Sequence, residues 1–192
     1  MSVREIVTVG HPALRQRARE ITAEELHTPE VQQLIDDLID TRTAADGAGL
    51  AANQIGETLR VAIAEVQPNN PRYPYKPPIP LTVFVNPVIE VLDDETDWVN
   101  EGCLSIPGMR GVVDRHMNIR VRYLDRDGNP HEEIKRGLTA GTFQHEVDHL
   151  DGILFMDRVT DPRTYSDWNQ FNRFHRDAFI KHAEEIVART GS

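Results

Sequence analysis

The chain has 192 residues, 39% of them hydrophobic, and its 31 acidic against 21 basic residues give a formal net charge of −10. That length supports one well-buried core and not two ordinary domains, so residues 1–192 read as a single domain. The acidic balance argues against a nucleic-acid backbone as main ligand, so no DNA partner is expected, and no run approaches the roughly 20 apolar residues of a membrane span.

The N-terminal stretch MSVREIVTVGHPALRQRARE has scattered arginines but no apolar core of an export signal. Together with a single cysteine, Cys103, which allows no intrachain disulfide, this reads as a protein of the reducing cytoplasm. Gly10-His11-Pro12 forms a turn from which Pro12 opens a short helix over 12–17. Residues 29–45 place Val31, Leu34, Ile35, Leu38 and Ile39 at spacings of three and four, with Pro29 near the start and Gly47 past the end. This is an amphipathic helix, with Asp36, Asp37 and Asp40 as its solvated face. Segments 59–66 and 81–92 are rich in β-branched residues and read as strands, with Pro87 marking an edge or a break in the second. Between them, 67–80 is dense in proline and reads as a stiff surface loop. Residues 112–124 and 130–135 form a hairpin across Asp125-Arg126-Asp127-Gly128-Asn129.

Helix returns over 138–150 and ends at an Asp151-Gly152 turn. A long C-terminal helix then fills 162–190. Its Trp168, Phe171, Phe174, Ala178, Phe179, Ala183 and Ile186 spread over an arc wide enough to bury against the main body, with His175 and His182 at the boundary and not as ligands. The expected fold is therefore α+β, with largely antiparallel sheets around a central helix, an N-terminal helix and a long C-terminal helix.

The helix over 138–150 carries the sequence HEVDH. Residues four apart share a helix face, so His145 and His149 can offer imidazoles to one cation, and Glu146 can reach a water on its open side. Two histidines need a further ligand. The longer HExxHxxGxxH pattern fails because Phe155 stands where it demands histidine, and no glutamate lies between Glu146 and Glu184 to serve the other protease arrangement. Asp157 has nothing to favour it. Cys103, in WVNEGCLSIPG, is the strong candidate: a thiolate with two imidazoles suits zinc or ferrous iron and leaves a fourth position for water. A closed structural site would need a fourth side chain. A third stretch, DGAGLAANQIG at 46–56, adds glycines that admit close backbone approach and Gln54, whose amide can donate to a developing oxyanion.

The stretches GAGLAANQ, EGCLS and HEVDH, in that order and with these separations, resemble the three motifs of peptide deformylases. The resemblance runs from Gly10-His11-Pro12 to LFMDRV at 154–159. One departure is Asn53, where the family usually has proline; it stiffens the loop less and removes no ligand. The resemblance implies a metal-dependent hydrolase that removes the N-formyl group from the formylmethionine of newly made polypeptides and releases formate. It implies Cys103, His145 and His149 as ligands of one divalent ion, Fe(II) in the cell and Zn(II) or Ni(II) as substitutes. Glu146 would act as base and then acid, with Gln54 and the Leu104 backbone N–H on the oxyanion. Gly47 and Gly49 would meet an extended peptide, Arg110 the second substrate residue, and Asp148, paired with Arg115, would brace the helix.

The expected partners are N-formylmethionyl nascent peptides. The family also suggests a transient ribosome contact through the last helix, although the basic residues there are mixed with acids. Two rival readings stand beside this one. A zinc endopeptidase lacks its downstream ligand, and a purely structural metal or docking protein has no use for Glu146 and Gln54.

Overall fold

Thr28 starts the first long helix, α1 (Pro29–Ala44), in the computed structural model, which describes residues 2–70 and 74–192. Its hydroxyl accepts from the Val31 N–H at 3.4 Å, and Pro29 sits where a missing N–H costs nothing. The helix buries Val31, Leu34, Ile35 and Leu38 against Leu50, Ile63 and Val85 of the sheet beneath it. Asp37 departs from the expected solvated face. It is buried, with Arg4 at 3.1 Å and Gln33 at 2.8 Å, because the N-terminal strand of chain crosses this side of the helix.

The strands are β1 (Gly49–Ala51), β2 (Val61–Val66), β3 (Ile79–Val91), β4 (Thr96–Cys103), β5 (Ile106–His116), β6 (Asn118–Leu124), β7 (Pro130–Arg136) and β8 (Ser166–Asp167). They form two antiparallel sheets, in the orders β1-β2-β3-β6-β7 and β4-β5-β8. Pro87 lies in an interior strand, and the strand tolerates it by breaking register between Val85 and Val88. Asn86 takes a positive φ of 51° there, and its side chain bridges both backbone groups of Ile21.

The expected strand over 112–124 is two strands in different sheets. Met117, fully buried, turns the chain between β5 and β6, with its N–H on the Glu95 carbonyl at 2.9 Å. The hairpin itself is β6 with β7. Within the 67–80 loop, residues 71–73 lie outside the described residues, and the loop is not wholly at the surface: Tyr75 packs edge-on against Phe179, ring centres 5.0 Å apart.

Helix α2 (Gly137–Leu150) is buried at every position except His145 and packs on both sheets. Phe143 stacks on Phe84 at 4.9 Å in the core with Ile119 and Val121. The C-terminal segment is less uniform than a single helix over 162–190. A 3-10 turn (Pro162–Thr164) leads into β8, and helix begins at Trp168, where the Asp167 side chain accepts from the N–H groups of Asn169 and Gln170. A π turn (Phe171–His175) then precedes α3 (Arg176–Thr190). The π turn rotates the following face, so Phe171, Phe179, Ala183 and Ile186 are buried while Phe174 is left 61% exposed.

Candidate active site

Three elements deliver the site. Position 145 and position 149 fall on one face of α2, and their ring centres lie 5.0 Å apart. Strand β4 ends at a bulge between Gly102 and Cys103, which pairs Cys103 with Ile106 and re-aims its side chain. The Cys103 Sγ comes 3.1 Å from His149 Nε2, and one ligand atom from each of Cys103, His145 and His149 lies within 4.8 Å of the others. The third element is the 3-10 turn Ala52–Ile55 after β1. There the Ala51 N–H donates to Gln54 Oε1 at 2.9 Å, which aims Nε2 at Ser105 Oγ (3.2 Å) and Cys103 Sγ (3.4 Å).

Buried charges orient these groups. Glu101 accepts from His145 Nδ1 at 2.8 Å, which leaves Nε2 of that ring for the ligand set. Arg115 grips Glu101 through Nε (2.7 Å) and Nη2 (3.0 Å) and reaches Asp148 with Nη1 (2.6 Å). Arg158 holds the other Asp148 oxygen at 2.6 Å. Burial alone would raise the Glu101 carboxylate, but Arg115 and His145 hold it well below the usual range. Burial lowers both imidazoles; for His145 the thiol of Cys103 and the Glu101 carboxylate outweigh it and raise that ring, whereas His149 stays lowered beside it.

Glu146 follows His145 into the interior, and burial pushes its carboxyl up to about 7. Its Oε2 meets no hydrogen-bond partner among the described residues. Gly49 explains how it fits: a Cβ there would overlap the Glu146 carboxylate, so the glycine is a cradle for this side chain. A Cβ on Gly47 would come 2.9 Å from Leu104 Cδ1, so this glycine too is set by close packing. The donor set, a cysteine sulfur and two imidazoles converging beside an unsatisfied carboxylate oxygen, fits a borderline divalent cation and a water.

A cavity of about 90 Å³ opens on these groups. Gln54, Cys103, Leu104, His145 and Glu146 line it, and so do Tyr75, Lys76, Thr142, Trp168 and Phe179. Lys76 donates to Thr142 Oγ1 at 2.9 Å, and burial lowers its ammonium to about 8. Arg110 also lines the cavity, but its side chain is committed within the fold: Nε donates to Asn100 Oδ1 at 2.6 Å, and the guanidinium lies over the Trp168 and Phe171 rings at 4.5 and 4.3 Å. Asn53 is fully buried and donates through Nδ2 to the His149 carbonyl, so it ties the loop to α2.

Sequence reasoning passed over Glu101, Lys76 and Trp168. Glu101 opens the EGCLS motif, and a carboxylate two residues before a candidate metal-ligating thiol was the available signal.

Residues 3–165 match the family described as Polypeptide deformylase. The chain belongs to the peptide deformylase family. It is 46% identical over 156 residues to peptide deformylase 2 of Nostoc sp., covering 80% of this chain and 84% of that one. It is 40% identical over 165 residues to the peptide deformylase of Leptospira biflexa, covering 86% and 92%. Among solved structures, the Met-Ala-Ser-bound class I type b peptide deformylase of Acinetobacter baumannii superposes with a TM-score of 0.77 at 39% identity, over 82% of this chain and 99% of that one. The actinonin complex from Synechococcus elongatus reaches 0.73 at 30% identity over 98% of this chain and 86% of its own. No helix among the described residues is long and apolar enough to cross a membrane.

Proposed function

We propose that Cys103, His145 and His149 hold one divalent metal ion, and that Glu146, Gln54 and the Leu104 backbone N–H carry the chemistry beside it. The chain removes the N-formyl group from the first residue of new polypeptides. When bound, a divalent cation at such a donor set acidifies a water, in favourable sites to about pKa 7, and polarises a carbonyl oxygen. Cys-His-His suits Fe(II) and Zn(II) alike; we assign Fe(II) in the cell, with Zn(II) or Ni(II) as substitutes.

Glu146 takes the proton of the attacking water and passes it to the departing nitrogen, so water adds across the formyl C–N bond and yields formate and a free amine. Its burial suits both duties, because a carboxyl near 7 gives and takes protons with little penalty. The Gln54 amide and the Leu104 N–H hold the formyl oxygen as negative charge builds on it. Gly47 and Gly49 line the approach of an extended peptide, and Arg110 positions the wall that the second residue meets. Asp148 and Arg115 brace α2 behind the ligands. The work belongs in the cytoplasm, where formylated chains are made.

One observation carries this reading: the lone thiol lies 3.1 Å from His149 Nε2, beside a Glu146 oxygen that no described residue satisfies. The test is formate release from formyl-Met-Ala-Ser by anaerobically loaded protein, repeated with Glu146→Ala and Gln54→Ala. We expect Glu146→Ala to abolish release and Gln54→Ala to lower kcat by about 10²–10³ with metal retained. Full activity of metal-loaded Gln54→Ala would remove it from the oxyanion site, and no formate with Fe(II), Ni(II) or Zn(II) would overturn the reading.

A further inference from the structure

Part of the cavity wall comes from beyond residue 165, where the family match ends: Trp168 and Phe179 stand in the C-terminal segment. The edge-on contact of Phe179 with Tyr75 fastens the proline-rich loop to that segment. Its neighbour Lys76 is thereby carried into the cavity, and its Nζ is held at 2.9 Å by Thr142 Oγ1, one turn before His145 on the same helix. Thr142 is fixed in turn, its hydroxyl donating to the Leu138 carbonyl at 3.1 Å. An ammonium is thus a built part of the wall of a cavity that also contains the reacting groups.

We propose that Lys76 is a specificity-determining residue, whose ammonium selects formylated peptides in which the first side chain ends in a neutral hydrogen-bond acceptor, methionine sulfoxide above all. This rests on the formyl group reacting beside Cys103, His145 and His149. The Cα of the formylated residue is then one amide away, and its side chain enters the same cavity. Val99, Leu138 and Phe179 accommodate the methylenes. The terminal atom meets the ammonium. A thioether sulfur accepts weakly and a sulfoxide oxygen strongly, while a hydrocarbon end offers the charge nothing in place of water. Glu101 and Glu146 already line the same cavity, so a side chain ending in a carboxylate would bring a further acidic group beside them. A hydrogen bond to a charged group changes selection by about tenfold or more.

The experiment compares kcat/KM of the metal-loaded protein for formyl-Met-Ala-Ser and its counterparts that begin with methionine sulfoxide and norleucine. It adds inhibition by the three unformylated product peptides, in wild type and in Lys76→Met. Wild type should favour the sulfoxide over norleucine by about tenfold or more, and Lys76→Met should abolish that preference in both turnover and product inhibition. Equal or inverted wild-type preference overturns the proposal without recourse to any variant, as does an unchanged ratio in a folded Lys76→Met. Formate from the methionine and norleucine peptides but not the sulfoxide sinks this inference alone. No formate from any of the three sinks the site reading and this inference with it.

Discussion

Glu101 accepts a hydrogen bond from Nδ1 of His145 at 2.8 Å, and both side chains are largely removed from solvent. The contact fixes which nitrogen of the ring carries the proton and so which one faces Cys103. Replacing it with Glu101→Gln leaves Arg115 facing a neutral amide in the interior. Metal affinity should fall about 10–100-fold in a chelator competition. Folding stability should fall by about 1.5–3 kcal/mol, because Arg115 loses its charged partner at Glu101 but keeps Asp148 at 2.6 Å. Unchanged affinity would mean that His145 is oriented by something else.

Gly49 and Glu146 are in steric contact across the site, which leaves no space for a methyl group. Gly49→Ala should therefore displace the carboxylate while sparing the metal ligands. We expect kcat to fall by about 10²-fold, the cost of a misplaced catalytic group, with metal content unchanged by elemental analysis. Wild-type turnover in a folded Gly49→Ala would show that the Glu146 position does not limit the reaction.

Asn53 holds the His149 carbonyl from a fully buried position. Asn53→Ala leaves that connection unmade and should destabilise the fold by about 1–3 kcal/mol, a drop of several degrees in Tm for a chain of this size. The apoprotein should show the same loss, because the bond is between the loop and the helix backbone. A Tm equal to wild type would dismiss the tie.

Asp97 anchors α3 through Arg189 at 2.7 Å, next to the stack of Trp98 on His182. Burial raises its carboxyl, but Arg189 and the Trp98 N–H outweigh this and lower it below its ordinary value. A lowered folded pKa contributes stability that is complete above the unfolded value, about 3.9. That contribution is lost as pH falls through the folded value. Asp97→Asn should cost about 1 kcal/mol at pH 7, and the gap should close in strong acid. Urea unfolding followed by tryptophan fluorescence at pH 7 and pH 3 checks this, and a gap independent of pH would refute it.

The helices were legible where periodicity and punctuation agreed: Pro29 and the spacing of Val31, Leu34, Ile35 and Leu38 mark α1 to within a residue. Strand β5 ran into β6 in the sequence reading because Met117 looks like any strand residue, and only its tertiary burial reveals the turn between two sheets. The π turn at Phe171–His175 likewise has no sequence signature, so Phe174 was placed on the buried arc it does not share. Within the site, the convergence of Cys103, His145 and His149 was legible because few residue types suit a metal. Lys76 was not, because its entry into the cavity depends on Tyr75 packing against Phe179, more than a hundred residues away along the chain.

X-ray absorption at the metal edge of the purified holoprotein tests the central claim most directly. We predict one sulfur and two imidazole nitrogens around a single ion per chain, with the sulfur signal absent from any metal that Cys103→Ser retains. One equivalent of tightly bound metal with no sulfur neighbour in the wild-type protein would contradict the assignment of Cys103 and the chemistry built on it.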